Sequence, residues 1–259
     1  MLILANAALV GCESTPNVKP RMARFNSPEV HSQPFNFKLA VGTDTSNEIS
    51  INNTKKADRD SALRFSAAMT LSHGFEARYV YNGEQQLSLK YQWLGAPEEE
   101  KQSGNFSLAT SAGYILSERK DVVYIHSKRK ESDTRAYNNW SLEQKSYDLS
   151  LIAGYRFNGQ TLMYGSVFYQ DGDIDGKYYL TESYDDVNNE QINPGCGYDR
   201  TCVGSHFTDK GKAYGASLAL EYEFLTWLVL TGELVHHKAD WFNRSNNETG
   251  ANVNLEFRF

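Results

Sequence analysis

The last eight residues, "NVNLEFRF", alternate polar and apolar side chains up to the final position. Val253, Leu255, Phe257 and Phe259 fall on one side, and Asn252, Asn254, Glu256 and Arg258 on the other. A period of two marks a strand with two unlike faces. Chain ends are ordinarily frayed and polar, and an apolar strand with a free edge invites association. This strand therefore needs a neighbour on both sides, and a sheet closed on itself supplies them.

The same alternation recurs upstream, in about ten segments of about ten residues. Leu63, Phe65, Ala67, Met69 and Leu71 share one face, as do Phe75, Ala77, Tyr79 and Tyr81, and further on Tyr214, Ala216, Leu218, Leu220, Tyr222 and Phe224. Connections are short near residues 73, 96–103, 158 and 225. They read as long at 44–61, 117–144, 171–212 and 239–248, with a brief link at Asn82-Gly83. Short turns on one rim and long loops on the other, joined by segments able to cross about 25 Å of apolar band, are the layout of a transmembrane β-barrel. Tyr155, Phe157, Tyr222, Phe224, Trp227, Phe257 and Phe259 gather at segment ends, where an interfacial girdle lies.

The opposite face of these segments carries Arg64, Arg78, Lys90, Asp148, Arg156, Glu221, Glu223, Glu256 and Arg258. A soluble lipocalin-like cup would put its apolar face inside, whereas these charges suit a polar lumen. Ten strands enclose too little space for a wide channel, so the expectation is a lumen filled by paired charges. No apolar run is long enough for a membrane helix, and a net charge of −6 argues against nucleic acid as a partner.

Over residues 34–259 the chain resembles Gram-negative outer-membrane β-barrel proteins. Its C-terminal octapeptide resembles their assembly signal, with Phe257 and Phe259 as the residues met by the barrel-assembly machinery. The resemblance implies an all-β, antiparallel, up-and-down transmembrane barrel of about ten strands. It implies location in the cell outer membrane, contact with its lipid and lipopolysaccharide, and both termini in the periplasm.

Residues 1–11 read as a signal peptide. Leu9, Val10, Gly11 and Cys12 resemble the lipobox of bacterial lipoproteins, which implies acylation of Cys12. The alternative is an ordinary signal cut after Ala7. Residues 12–33 are polar and hold Pro16, Pro20 and Pro28, the composition of a periplasmic linker. Cys196 and Cys202, in "GCGYDRTC", read as a disulfide of an oxidising compartment, with a metal pair as the alternative.

"DGDIDGKYYLTE" matches the spacing of a calcium loop. Asp171, Asp173 and Asp175 would converge around Gly176, Lys177 would offer its carbonyl, and Glu182 would close the site. The alternative is a solvated acidic turn. The "SKRK" run at 127–130 either meets lipopolysaccharide phosphates or is simply solvated, and Trp140 and Trp241 read as loop residues. His236, His237 and Ser245 faintly resemble lipid A deacylases. Their spacing spans a loop, so no catalytic role is carried over.

The functional expectation is a non-enzymatic surface protein whose extracellular loops bind an external partner or stabilise the envelope. A small selective pore is the alternative, and a lipid-modifying enzyme a third reading.

Overall fold

The computed structural model describes residues 17–18, 20, 22–47, 49–50, 59–129, 132–180, 184–185, 190–191 and 202–259. Ten long strands form the wall: β1 (Phe37–Asn47), β2 (Arg59–Ser72), β3 (Phe75–Tyr81), β4 (Gln85–Leu94), β5 (Phe106–Arg129), β6 (Ser132–Arg156), β7 (Thr161–Leu180), β8 (Cys202–Leu225), β9 (Leu228–Trp241) and β10 (Arg244–Arg258). Each pairs with the next, and β10 returns to β1, so the sheet closes.

The chain divides into two compact units. Residues 17–117, 144–174 and 209–259 form the closed barrel. Residues 118–143 and 175–208 belong to the second unit, which holds the remaining lengths of β5 to β8.

Alternation sorts the barrel's side chains as the sequence leads one to expect. In β3, Phe75, Tyr79 and Tyr81 are exposed on the outside, while Glu76, Arg78 and Val80 are buried within. In β8, Leu218, Leu220, Tyr222 and Phe224 face out, and Glu221 and Glu223 face in. An apolar exterior around a charged interior is stable only where the exterior meets lipid. The chain is a closed ten-stranded antiparallel β-barrel whose outer face suits lipid.

The C-terminal strand closes the sheet. Arg258 pairs with Lys38, Phe257 with Leu39, and Asn254 with Gly42. Phe37 and Phe259 exchange backbone hydrogen bonds of 3.3 and 2.9 Å, so the final residue has a partner. At Gly42 the backbones lie so close that a Cβ would sit 2.6 Å from the Val253 carbonyl oxygen. Along the same rim the aromatics form a girdle: Trp227 stacks on Phe257, and Tyr155–Phe157 and Tyr222–Phe224 meet edge to face.

Three connections expected as long loops are largely strand. β5 and β6 run 24 and 25 residues, and β7 and β8 run 20 and 24. About ten residues cross the apolar band, so each continues well beyond it. Beyond the band neither face need be apolar, so the alternation that reveals a strand disappears. The third correction is at residues 239–248. Phe242 and Asn243, with φ of 54° and 57°, make a two-residue turn with both central residues left-handed, whose twist matches the flanking strands.

The largest departure concerns residues 12–33. Among these, residues 22–30 are not a periplasmic linker but lie inside the barrel. Met22, Phe25, Glu29 and Val30 are each at most 3% exposed. Asn17–Val18 pairs with Ile49–Ser50, just past the end of β1 and on the rim opposite Phe259. From there the chain descends through the lumen. At the turn rim Phe35 donates its backbone N–H to the Thr70 carbonyl at 2.8 Å, and the chain turns up into β1. The two ends of the barrel wall, Phe37 and Phe259, therefore share the rim of short turns, whereas the segment ahead of the wall starts from the other rim. Asn17 and Phe259 sit at opposite rims. The sequence misleads because a lumen is polar, and a segment made to lie in one has the composition of a solvated linker.

Candidate functional site: the lumen and its threaded segment

The threaded segment is bound to the wall along its length. Buried backbone donors must find acceptors, and wall carboxylates provide them. Ala23 donates its N–H to Asp44 at 2.9 Å. Arg24 and Phe25 donate theirs to the two oxygens of Glu233 at 2.8 and 3.2 Å. Val30 donates to the Gln92 side-chain carbonyl at 2.6 Å. In the other direction, Lys90 donates to the Ser27 carbonyl at 2.8 Å, and Arg78 donates to the Phe25 carbonyl.

The side chains of the segment are paired as well. Arg24 meets Asp148, and its guanidinium lies 3.5 Å from the centre of the Phe168 ring. Phe25 lies beneath the Arg64 guanidinium at 5.3 Å. Glu29 and Arg156 are both about 1% exposed at their side chains and form a forked pair, with Nε 3.2 Å from Oε1 and Nη2 2.5 Å from Oε2. Asn105 donates a further hydrogen bond to Glu29 Oε1 at 3.0 Å. Two planar forks matched in this way fix direction and register as well as charge.

Below the segment lies a denser charge network. Glu76, fully buried, sits within 3.1 Å of Lys38, Arg78 and Lys90. Arg258 reaches Glu98 and Glu221 at 2.8 Å and Glu256 at 2.9 Å. Lys38 also reaches Glu98, and Lys101 pairs with Glu223. Glu98 and Lys101 come from the β4–β5 turn, which folds under the lumen and donates the Glu98 N–H to the Val30 carbonyl of the segment at 3.2 Å. Turn and segment therefore close the lower end together.

Among the described residues, a small space lies beside the segment. A polar cavity of about 30 Å³ is lined by Arg24, Asn26, Arg64, Arg78 and Asp148, among others. That volume holds on the order of one water. Arg24 Nε, Asn26 Oδ1 and Arg78 Nε face no protein partner there, which suits a buried water.

Glu98 lies in the turn, outside the spanning strands. Burial raises its pKa, but the attraction of Arg258 and Lys38 outweighs burial and sets it at about 2. A carboxyl depressed in the fold contributes stability that is complete above its unfolded value near 4.5 and is lost as pH falls toward 2. The folded barrel is therefore expected to lose resistance to heat between pH 4.5 and 2, and Glu98→Gln should flatten that dependence. Semi-native gel migration after heating, read across that range, checks both.

The structure places all nine charged residues expected at the lumen on the inner face. Arg64, Arg78, Lys90, Asp148, Arg156, Glu221 and Glu223 are buried, and Glu256 and Arg258 are about 10% exposed at their side chains. It adds Lys38, Asp44, Glu76, Glu98 and Glu233, of which Glu76 was legible as the inward neighbour of Phe75.

The described part of the calcium-spaced motif is strand. Asp171, Asp173 and Asp175 lie in the continuous strand β7 on one face, with Lys177, and none is at a turn. Alternate residues of a strand are about 7 Å apart, so their carboxylates diverge. Asp173 pairs with Lys210 at 3.4 Å and Asp175 with His206 at 3.0 Å. Among the described residues no group of three His, Cys, Asp or Glu gathers as a metal site. Cys12, Glu182 and Cys196 lie outside the described residues, and Cys202 is described only as the first residue of β8.

Trp241 is not a loop residue. It ends β9, buried, where a Cβ on Gly211 would meet its ring at 2.0 Å. Ser245 pairs with Asp240 on the outer face, whereas His237 points inward and His236 bonds Thr249 at 2.9 Å. Serine and histidine are not brought together.

No protein-family profile matches the chain, and no curated protein matches it. Solved structures with a similar trace include Ail, the attachment invasion locus protein of Yersinia pestis, at 10% identity and a TM-score of 0.34, covering 88% of this chain and 100% of that one. The outer membrane channel DcaP of Acinetobacter baumannii aligns at 8% identity and a TM-score of 0.24, covering 88% and 96%. OmpT of Vibrio cholerae aligns at 8% identity and a TM-score of 0.18, covering 88% and 97%. At these scores the functional reading rests on the geometry of this chain alone.

Proposed function

We propose that the protein is a closed, non-enzymatic scaffold of the outer membrane, which holds the outer lengths of β5 to β8 at the cell surface to meet an external partner or to strengthen the envelope. One observation carries this reading: the lumen is filled by the chain's own N-terminal segment, bonded to the wall from Ala23 to Val30. A pore needs a continuous water path, and the bonded segment stands across the described lumen. With the interior occupied, the long strands beyond the apolar band are the remaining surface for recognition.

The test compares a deletion strain complemented with wild type and with a variant in which residues 118–143 are replaced by Asn-Gly. The shortened hairpin should lower surface adhesion or envelope resistance to the level of the deletion, with small-solute uptake equal in all strains. Uptake that follows the presence of the protein would support the pore instead.

A further inference from the structure

The route of the N-terminal segment has a direction. Asn17–Val18 lies beside Ile49–Ser50 at the rim where the long strands leave the membrane, and Phe35 lies at the rim of short turns. Short turns face the periplasm in barrels of this type. We infer that the chain ahead of Asn17 is delivered to the extracellular face through the barrel's own lumen, so that the barrel displays its N-terminal residues at the cell surface. The inference rests on the outer-membrane reading above and adds a second exposed element to it.

Reach decides between the two faces. Cys12 lies five residues before Asn17, and five residues extend at most about 17 Å. The apolar band is about 25 Å tall. From the outer rim, Cys12 reaches the outer leaflet but not the periplasmic surface, whatever path the chain takes. An acyl group on Cys12 would therefore anchor in the outer leaflet.

The lumen is built for this segment rather than merely blocked by it. A loosely trapped chain would leave its backbone donors unpaired or hydrated. Here Asp44 and Glu233, both nearly fully buried, receive backbone N–H groups of residues 22–25. Glu29 makes a forked pair that reversed threading would misplace.

The test uses an antibody raised against residues 13–19, "ESTPNVK", on intact cells carrying the unaltered protein. A second strain carries an epitope in the short turn at Asn158-Gly159, where a Cβ on Gly159 meets open space. Display is expected to give antibody binding to residues 13–19 on intact cells within twofold of that on permeabilised cells. The turn epitope should bind at least tenfold better after permeabilisation. If both sites become accessible only on permeabilisation, threading to the surface is overturned while the barrel reading stands. If the turn is accessible on intact cells and residues 13–19 are hidden, the membrane orientation itself is wrong. A mature protein that has lost residues 13–19 on a denaturing blot also overturns display.

As a check on threading without surface probes, Glu29→Cys with Asn105→Cys should be joined in the folded barrel by a short bismethanethiosulfonate linker, which spans the gap left by the shorter side chains. Their native side chains are 3.0 Å apart. A folded barrel that never cross-links overturns the route.

Discussion

Deleting residues 17–33 is expected to convert a silent barrel into a conducting one. In planar bilayers the intact protein should show no steady conductance, and the deleted form should open in reproducible small steps. The reason is volumetric and electrostatic together. The segment places Phe25, Glu29 and Val30 across the lumen, and the wall around them is charged rather than apolar, so water will enter once they leave. The deletion also strips Arg156 and Asp148 of their partners Glu29 and Arg24. Leaving one member of a buried ion pair alone costs about 3–5 kcal/mol. Water entering the lumen offsets part of this, so the deleted barrel should fold but unfold at lower temperature on a semi-native gel. Glu29→Ala alone keeps the segment's backbone and should destabilise without steady conductance. Equal conductance from intact and deleted proteins would defeat the sealed-lumen reading.

The second large effect is expected at Glu76. This carboxylate is fully buried and lies between Lys38, Arg78 and Lys90, each within 3.1 Å. Glu76→Ala leaves three cations facing one another around a void. The loss of a partner from a buried charge cluster costs about 3–5 kcal/mol, more than most single substitutions. Urea unfolding of the detergent-folded barrel should show the midpoint fall accordingly. Lys90→Met, which removes one cation and keeps comparable bulk, should restore part of the loss when combined with Glu76→Ala. Independent, additive effects of the two changes would mean the cluster is not acting as a unit.

The barrel itself was legible residue by residue. Period-two alternation assigned Phe65, Tyr79, Leu89 and Leu220 to the outside and Arg64, Arg78, Lys90 and Glu221 to the inside, and the structure places them there. Phe259 implied a closing partner, and Phe37 is that partner. These assignments succeed because lipid on one side and a packed polar lumen on the other impose opposite chemistry on alternate residues, a rule local enough to read along a chain. Where lipid no longer constrains the outer face, in β5 to β8 beyond the band, the rule fails and strand reads as loop. The acidic run from Asp171 to Asp175 fails for the same reason. Its spacing suits a loop that gathers carboxylates, but pairing with neighbouring strands holds it extended.

The sequence by itself determined a closed wall of about ten strands and the charged character of its inner face, because both follow from alternation and from the need to leave no edge unpaired. Only the tertiary structure decided what occupies the lumen. Residues 22–33 carry no period and look solvated. Their partners Asp44, Asp148, Arg156 and Glu233 are spread over more than 180 residues of chain and converge only when the barrel closes around them. A polar segment in water and a polar segment in a charged lumen have the same composition. What separates them is whether the hydrogen-bond partners are solvent or wall.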